Sequence, residues 1–112
     1  MDREEYVERV LALVEQIPPG RVMSYGAIAE VVGVGGPRQV GRVMSLEGGP
    51  VPWWRVVRAD GGLPLCHDGE ARERHRAEGT PMRSPDRVDI QAAHWWPDEA
   101  ERDGGRGFVG RL

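Results

Sequence analysis

Four groups of residues in this 112-residue chain have types and spacings that could do chemistry. Arg38 and Arg42 fall one helical turn apart, and like charges at that spacing cost on the order of a few tenths of a kcal/mol unless an anion lies between them. Pro52-Trp53-Trp54-Arg55 sets two flat indoles beside a planar guanidinium, a combination that can stack on a planar ligand and donate to its edge or to a phosphate. Tyr25 offers a ring with one polar tip. Cys66-His67 pairs a thiol with a base, the parts of an activated nucleophile, although a lone Cys is more often inert than reactive. Each group also has a plainer reading. Tyr25 could pack on the preceding helix, Arg38 could be a solvated surface charge, and Trp53 or Trp54 could be core.

The charge distribution narrows the chemistry. The net charge of -3 argues, taken whole, against a nucleic-acid partner, whose phosphates need neutralising. Taken in segments, three Arg face six acids in residues 1–36, four Arg (Arg38, Arg42, Arg55, Arg58) face Glu47 alone in residues 37–58, and eight Arg face eleven acids in residues 59–112. A basic middle between acidic ends can steer an anion to one face. All fifteen basic residues are Arg, which a GC-rich genome would explain and which also supplies planar donors. The single Cys excludes an internal disulfide, and with three scattered His it gives no metal-ligand spacing, so neither metal nor cofactor is expected. No stretch approaches the roughly 20 apolar residues that span a bilayer, and the acidic start MDREEYVERV does not read as a signal peptide. A cytoplasmic location without membrane contact is expected.

The elements that position these groups follow from periodicity and punctuation. Apolar residues at Tyr6, Val7, Val10, Leu11, Val14 and Ile17 predict an amphipathic helix over 4–17, ended by Pro18-Pro19-Gly20. Ser24 is a predicted N-cap for a short helix through Val32, with Ile28, Val31 and Val32 inward and Gly33 as its stop. Pro37 then starts a third helix to about Leu46, with Val40, Val43 and Met44 inward. Two short helices across a tight Gly-rich loop predict a helix-turn-helix. Val51 to Arg58 reads as a strand that places Trp54 and Val56 on one side and Trp53, Arg55 and Val57 on the other, with Ala59-Asp60-Gly61-Gly62 as the tip of a hairpin or wing. A charged helix is expected over 68–78 and a short element packing back over 88–96. Residues 1–96 form one domain in this reading, and 97–112 a flexible tail.

Three motifs occur in one order: Ile17-Pro18-Pro19-Gly20-Arg21-Val22-Met23-Ser24-Tyr25-Gly26-Ala27-Ile28-Ala29, then Arg38-Gln39-Val40-Gly41, then Pro52-Trp53-Trp54-Arg55-Val56-Val57. Together they resemble the DNA-binding domain of the O6-alkylguanine-DNA alkyltransferases over about residues 4 to 80. In those enzymes the last motif reads Pro-Cys-His-Arg-Val, and its Cys accepts the alkyl group. Here Trp53 stands in that place, which resembles the alkyltransferase-like proteins that bind alkylated guanine without repairing it. Trp54 departs from the usual His of that group, and the segment before Pro52 is shorter, with Gly49 near the place of the enzymes' Asn.

The resemblance implies a mainly α fold with a small β wing, a winged helix-turn-helix as in the alkyltransferase DNA-binding domain. It implies a non-enzymatic sensor of O6-alkylguanine in double-stranded DNA, docked by its third helix in the minor groove, that rotates the modified nucleotide out of the stack and marks it for nucleotide excision repair proteins. Arg38 would enter the stack, Tyr25 would turn the adjoining phosphate, Gly41 would let the helix approach the sugar-phosphate edge, and Trp53 would line the pocket behind Pro52. Arg55 would buttress the loop or reach a phosphate, and Trp54, Arg42 and Ser24 are further candidates. No dimerisation element is evident, so a monomer is expected. A winged-helix transcriptional regulator, and an active alkyltransferase acting through Cys66, are the competing readings.

Overall fold

The structure is a computed structural model and describes residues 1–64 and 69–98. Asp2 caps the first helix, its carboxylate accepting the Glu5 N–H at 2.8 Å, and α1 runs Arg3–Gln16. Its buried stripe is Val10, Leu13 and Val14, continued by Ile17, with Tyr6, Val7 and Leu11 packed at the margin. A two-residue strand, β1 (Met23–Ser24), leads into α2 (Tyr25–Val32), where the Ser24 hydroxyl accepts the Ala27 N–H at 3.0 Å. Gly33 ends α2 at φ 93°, in the left-handed region as expected of a C-cap glycine. α3 (Pro37–Glu47) starts on Pro37, and the Gln39 side chain accepts the Gly36 N–H at 2.9 Å.

The inward face of α2 differs from expectation. Ala27, Ile28 and Ala29 are buried while Val31 is exposed. Two alanines let α2 sit close to both α1 and α3, so burial concentrates in its first turns rather than at its end. In α3, Val40 and Val43 are buried, Met44 is half-buried, and Arg38 and Arg42 are exposed.

The segment after Pro52 is not the extended strand that alternation suggests. Trp53–Arg55 forms one 3-10 turn, with the Arg55 N–H donating to the Pro52 carbonyl at 3.0 Å, and only Val56–Val57 is strand (β2). β2 pairs in parallel with β1 in the register Met23↔Val56 and Ser24↔Val57. Val56 belongs to the core of α1, α2 and α3, while Val57 belongs to a second cluster with Val22, Trp53, Leu63 and Val88. A strand buried on both faces has no polar alternation to read.

The wing is also displaced. Ala59 to Gly62 does turn the chain, the Gly61 N–H donating to the Arg58 carbonyl at 2.8 Å, but its arms are not the ribbon. The ribbon is β3 (Met82–Ser84) against β4 (Arg87–Val88), antiparallel across Pro85-Asp86, and Gly62 joins it by one bridge to Arg87. α4 (Glu70–Glu78) precedes the ribbon and α5 (Ile90–Ala93) follows it. Residues after α5 do pack back: the Trp95 N–H donates to the Val22 carbonyl at 2.8 Å, and the Trp95 ring is buried in the main core. Cys66, and the expected tail beyond Asp98, lie outside the described residues.

Gly61 holds φ 90°, and a Cβ there would collide with the Val88 carbonyl oxygen. Gly61→Ala is expected to cost about 2 kcal/mol or more from left-handed strain plus the clash. In a thermal melt this lowers Tm by roughly 10 °C for a domain of this size; an unchanged Tm would show that the turn does not depend on the glycine.

Candidate nucleic-acid interface

A cavity of about 620 Å³ opens beside α3. Tyr25 from the start of α2, Gly41 and Met44 from α3, Gly49 from the following loop, Trp53 and Arg58 form much of its wall. The volume lies within the roughly 300–1,000 Å³ typical of sites that enclose a small ligand. Tyr25 is half-buried, and a Cβ added at Gly41 would meet nothing within 4 Å, so α3 presents bare backbone on this side. Arg38 and Arg42 project from the same helix into solvent, and among the described residues neither has an ion-pair partner. A helix carrying two unneutralised guanidinium groups beside a largely apolar recess can attract a polyanion and receive a flat group.

Trp53 is 9% exposed and belongs both to the second core cluster and to the cavity wall. Trp54 meets it edge to face, with centroids 5.6 Å apart and planes at 88°, and faces away from the cavity. The Trp54 ring lies under the guanidinium of Arg74 at 4.4 Å, and its indole N–H donates to Glu78 at 2.9 Å. Arg55, expected either to buttress the loop or to reach a phosphate, binds within the protein. Its Nε and Nη2 donate to Glu78 at 3.1 and 2.6 Å, and its Nη1 donates to the Ile17 carbonyl at 2.9 Å. All three guanidinium nitrogens of Arg55 are thus engaged inside the protein. Pro52 is half-buried and caps the 3-10 turn, while Ser24 serves as the N-cap of α2 and donates its N–H to His94 Nε2 at 3.2 Å.

Three supporting residues lie outside the motifs read from the sequence. Arg58 could have been found only from its place in the basic middle of the chain. Glu78 and His75 sit on a charged helix whose pattern reads as solvated surface, yet His75 is fully buried. Its Nε2–H donates to the Trp54 carbonyl at 2.6 Å, which leaves Nδ1 to accept the Thr80 hydroxyl at 2.7 Å. Burial holds the His75 imidazole below its usual value, outweighing the favourable Trp54 carbonyl and the Glu78 charge. Among the described residues no group of three His, Cys, Asp or Glu is placed to hold a metal ion.

The histidine has a stability consequence. Unfolded His75 takes a proton near pH 6.5, whereas the folded one resists until lower pH. Its contribution is therefore complete above about pH 6.5 and is lost as pH falls from there toward the folded value. Tm is expected to fall between pH 7.5 and 5.5, and His75→Gln to show a flatter profile over that window; parallel profiles would mean that another group titrates.

The family described as 6-O-methylguanine DNA methyltransferase, DNA binding domain, matches residues 5–79. The chain is similar to the DNA base-flipping protein of Escherichia coli, at 35% identity over 85% of this chain and 78% of that one. It is also similar to alkyltransferase-like protein 1 of Schizosaccharomyces pombe, at 36% identity over 70% of this chain and 77% of that protein. The crystal structure of S. pombe Atl1 in complex with damaged DNA containing O6-carboxymethylguanine superposes with a TM-score of 0.74, covering 87% of this chain and 100% of that one at 29% identity. The winged-helix fold is thus shared with a DNA-bound relative, and the chain belongs to the family of the 6-O-methylguanine DNA methyltransferase DNA-binding domain.

Proposed function

We propose that this chain is a non-enzymatic reader of O6-alkylguanine in duplex DNA. α3 docks in the minor groove, the modified nucleotide is rotated into the cavity beside it, and the alkyl group stays where it was. The observation that carries this reading is Trp53, an indole rather than a thiol, forming the wall of a cavity that opens against α3. An indole has no accessible pair with which to displace an alkyl group at neutral pH, but it gives a flat contact to a base and its substituent, worth about 1–3 kcal/mol. Extrusion of a nucleotide costs a few kcal/mol, so contact in the cavity is of the size needed to offset it. Arg38, exposed at the first turn of α3, is the side chain suited to occupy the vacated stack, and Tyr25 at the cavity rim is suited to turn the adjoining phosphate. A complex that leaves the lesion in place requires removal by another activity, and hand-over to nucleotide excision repair proteins completes the proposal.

Binding to two duplexes of one sequence, with O6-methylguanine or guanine at a single position, tests it. The lesion duplex is expected to bind about tenfold tighter or more, and agreement within twofold would overturn the reading. Trp53→Ala and Arg38→Ala are each expected to remove most of that preference; a Trp53→Ala variant that weakens both duplexes equally would reduce Trp53 to a folding residue. With a labelled methyl group on the guanine, the label is expected to remain on the DNA. Its appearance on protein would instead assign alkyl transfer, with Cys66 the thiol to map.

A further inference from the structure

Arg58 follows β2 and lies in none of the motifs that carry the family resemblance. One side of it borders the Trp53 cavity, and the other borders a second recess of about 320 Å³ formed with Arg83, Ser84, Asp86 and Arg87 of the ribbon. Its backbone is held twice, its N–H donating to the Gly62 carbonyl at 3.0 Å and its carbonyl accepting the Gly61 N–H at 2.8 Å. The guanidinium lies flat against Gly62. A Cβ at that position would collide with Nη2 and come within 2.8 Å of Cζ and Nε, so the missing side chain is what seats the group.

The neighbouring carboxylates are taken by other partners. Asp60 pairs with Arg87 at 3.4 Å, Asp86 with Arg72 at 2.7 Å, and Asp89 with Arg83 at 4.0 Å. The Asp60 carboxyl is held below its usual range first by the Gly62 N–H and further by Arg87 and Arg58, which together outweigh the opposing desolvation. Among the described residues no carboxylate lies within ion-pair distance of Arg58, and its side chain is exposed. A guanidinium held in no ion pair among the described residues thus stands on the ridge between a largely apolar cavity and a recess where Arg83, Ser84 and Arg87 face one carboxylate, Asp86, which is itself paired with Arg72.

A nucleotide extruded into the apolar cavity brings its base inside and leaves its phosphodiester at the rim. The geometry points to Arg58 as the seat of the phosphodiester flanking the extruded nucleotide, donating in bidentate fashion from the ridge with the Arg83, Ser84 and Arg87 recess behind it. This rests on the extrusion reading given above. Because that phosphate reaches the ridge only after the nucleotide has left the stack, the contact forms with lesion DNA and not with an undistorted duplex.

Affinities of wild type and Arg58→Gln measured over a salt series, on lesion and control duplexes, test this. The slope of log K against log salt is expected to become shallower by about one on the lesion duplex, with binding roughly tenfold weaker, and to stay the same on the control duplex. Arg58→Lys is expected to keep the slope, and Tm to be unchanged in both variants because the side chain is exposed. An unaltered lesion slope overturns the inference. So does an equal loss on both duplexes, which would make Arg58 a general contact formed before extrusion, or a fall in lesion preference at constant slope, which would make it a reader of the base edge. A wild type without lesion preference is a failure of the extrusion reading and shows before any variant is made. A wild type with that preference and an unaltered Arg58→Gln slope is a failure of this inference alone.

Discussion

Glu78 ends α4 with two carboxylate oxygens, and four donors reach them: the Gly20 N–H at 3.0 Å, the Trp54 indole at 2.9 Å, and Nε and Nη2 of Arg55 at 3.1 and 2.6 Å. A carboxylate has about four lone-pair positions, so the group is saturated. Burial alone would raise its pKa, but the Arg55, Gly20 and Trp54 donors outweigh that, and the carboxyl is held below its ordinary value and ionised. The Arg55 and Glu78 side chains are each only 13% exposed, so removing either would leave a poorly solvated charge, at a cost of about 3–5 kcal/mol in comparable pairs. Everything at the interface inherits this constraint. The clamp ties the 3-10 turn to the Ile17–Gly20 bend and to α4 at once, and with Trp54 and Arg55 held on that side, Trp53 is directed to the other, where the cavity is.

The same clamp bears on the chemistry. In the transferases that this chain resembles, the residue at the Trp54 position is a His that helps deprotonate the thiol. An indole N–H donates and cannot accept, and here it is spent on Glu78. The buried imidazole of His75 is near, but both its nitrogens are engaged, one by the Trp54 carbonyl and the other by Thr80. Among the described residues the 3-10 turn therefore has no free base beside it. If Trp53 stands where the resemblance places the acceptor thiol, position 53 carries no nucleophile and its described surroundings carry no free base to activate one, so the two features agree across neighbours.

The helix-turn-helix was legible because its signals are local. Ser24, Gly33 and Pro37 each mark a boundary by a hydrogen bond or a dihedral angle that needs no distant partner, and Arg38 and Arg42 follow from helical spacing alone. The region after Pro52 was not. Trp53, Trp54, Val56 and Val57 are all strand-forming types, and β2 is buried on both faces, so neither composition nor alternation could separate a 3-10 turn from a strand. The Gly61-Gly62 pair looked like a hairpin tip but answers to close approaches by Val88 and Arg58. The true ribbon turns at Pro85-Asp86, a dipeptide that does favour turns, between segments too short and too polar to read as strands. Glu78 lies 58 residues from Gly20 and 23 from Arg55, and contacts of that range leave no mark in a single sequence.

Trp53 belongs both to the second core cluster and to the cavity wall, and in the proposed reading its folding and recognition roles need not compete. Its ring is nearly covered by Trp54 and the second cluster, so the face toward the cavity is held in place before any ligand arrives. A wall already ordered by the fold adds little conformational entropy cost on binding, so more of the stacking energy remains to oppose extrusion. A mobile indole on an open loop would give the same contact area but lose part of its gain in being ordered. In the proposed reading the stacking energy and the extrusion cost are both a few kcal/mol, so that difference would decide whether an extruded state is populated. The rigidity comes from residues that need never touch the ligand: Glu78, Arg55, His75 and the Trp54 ring between two guanidinium groups.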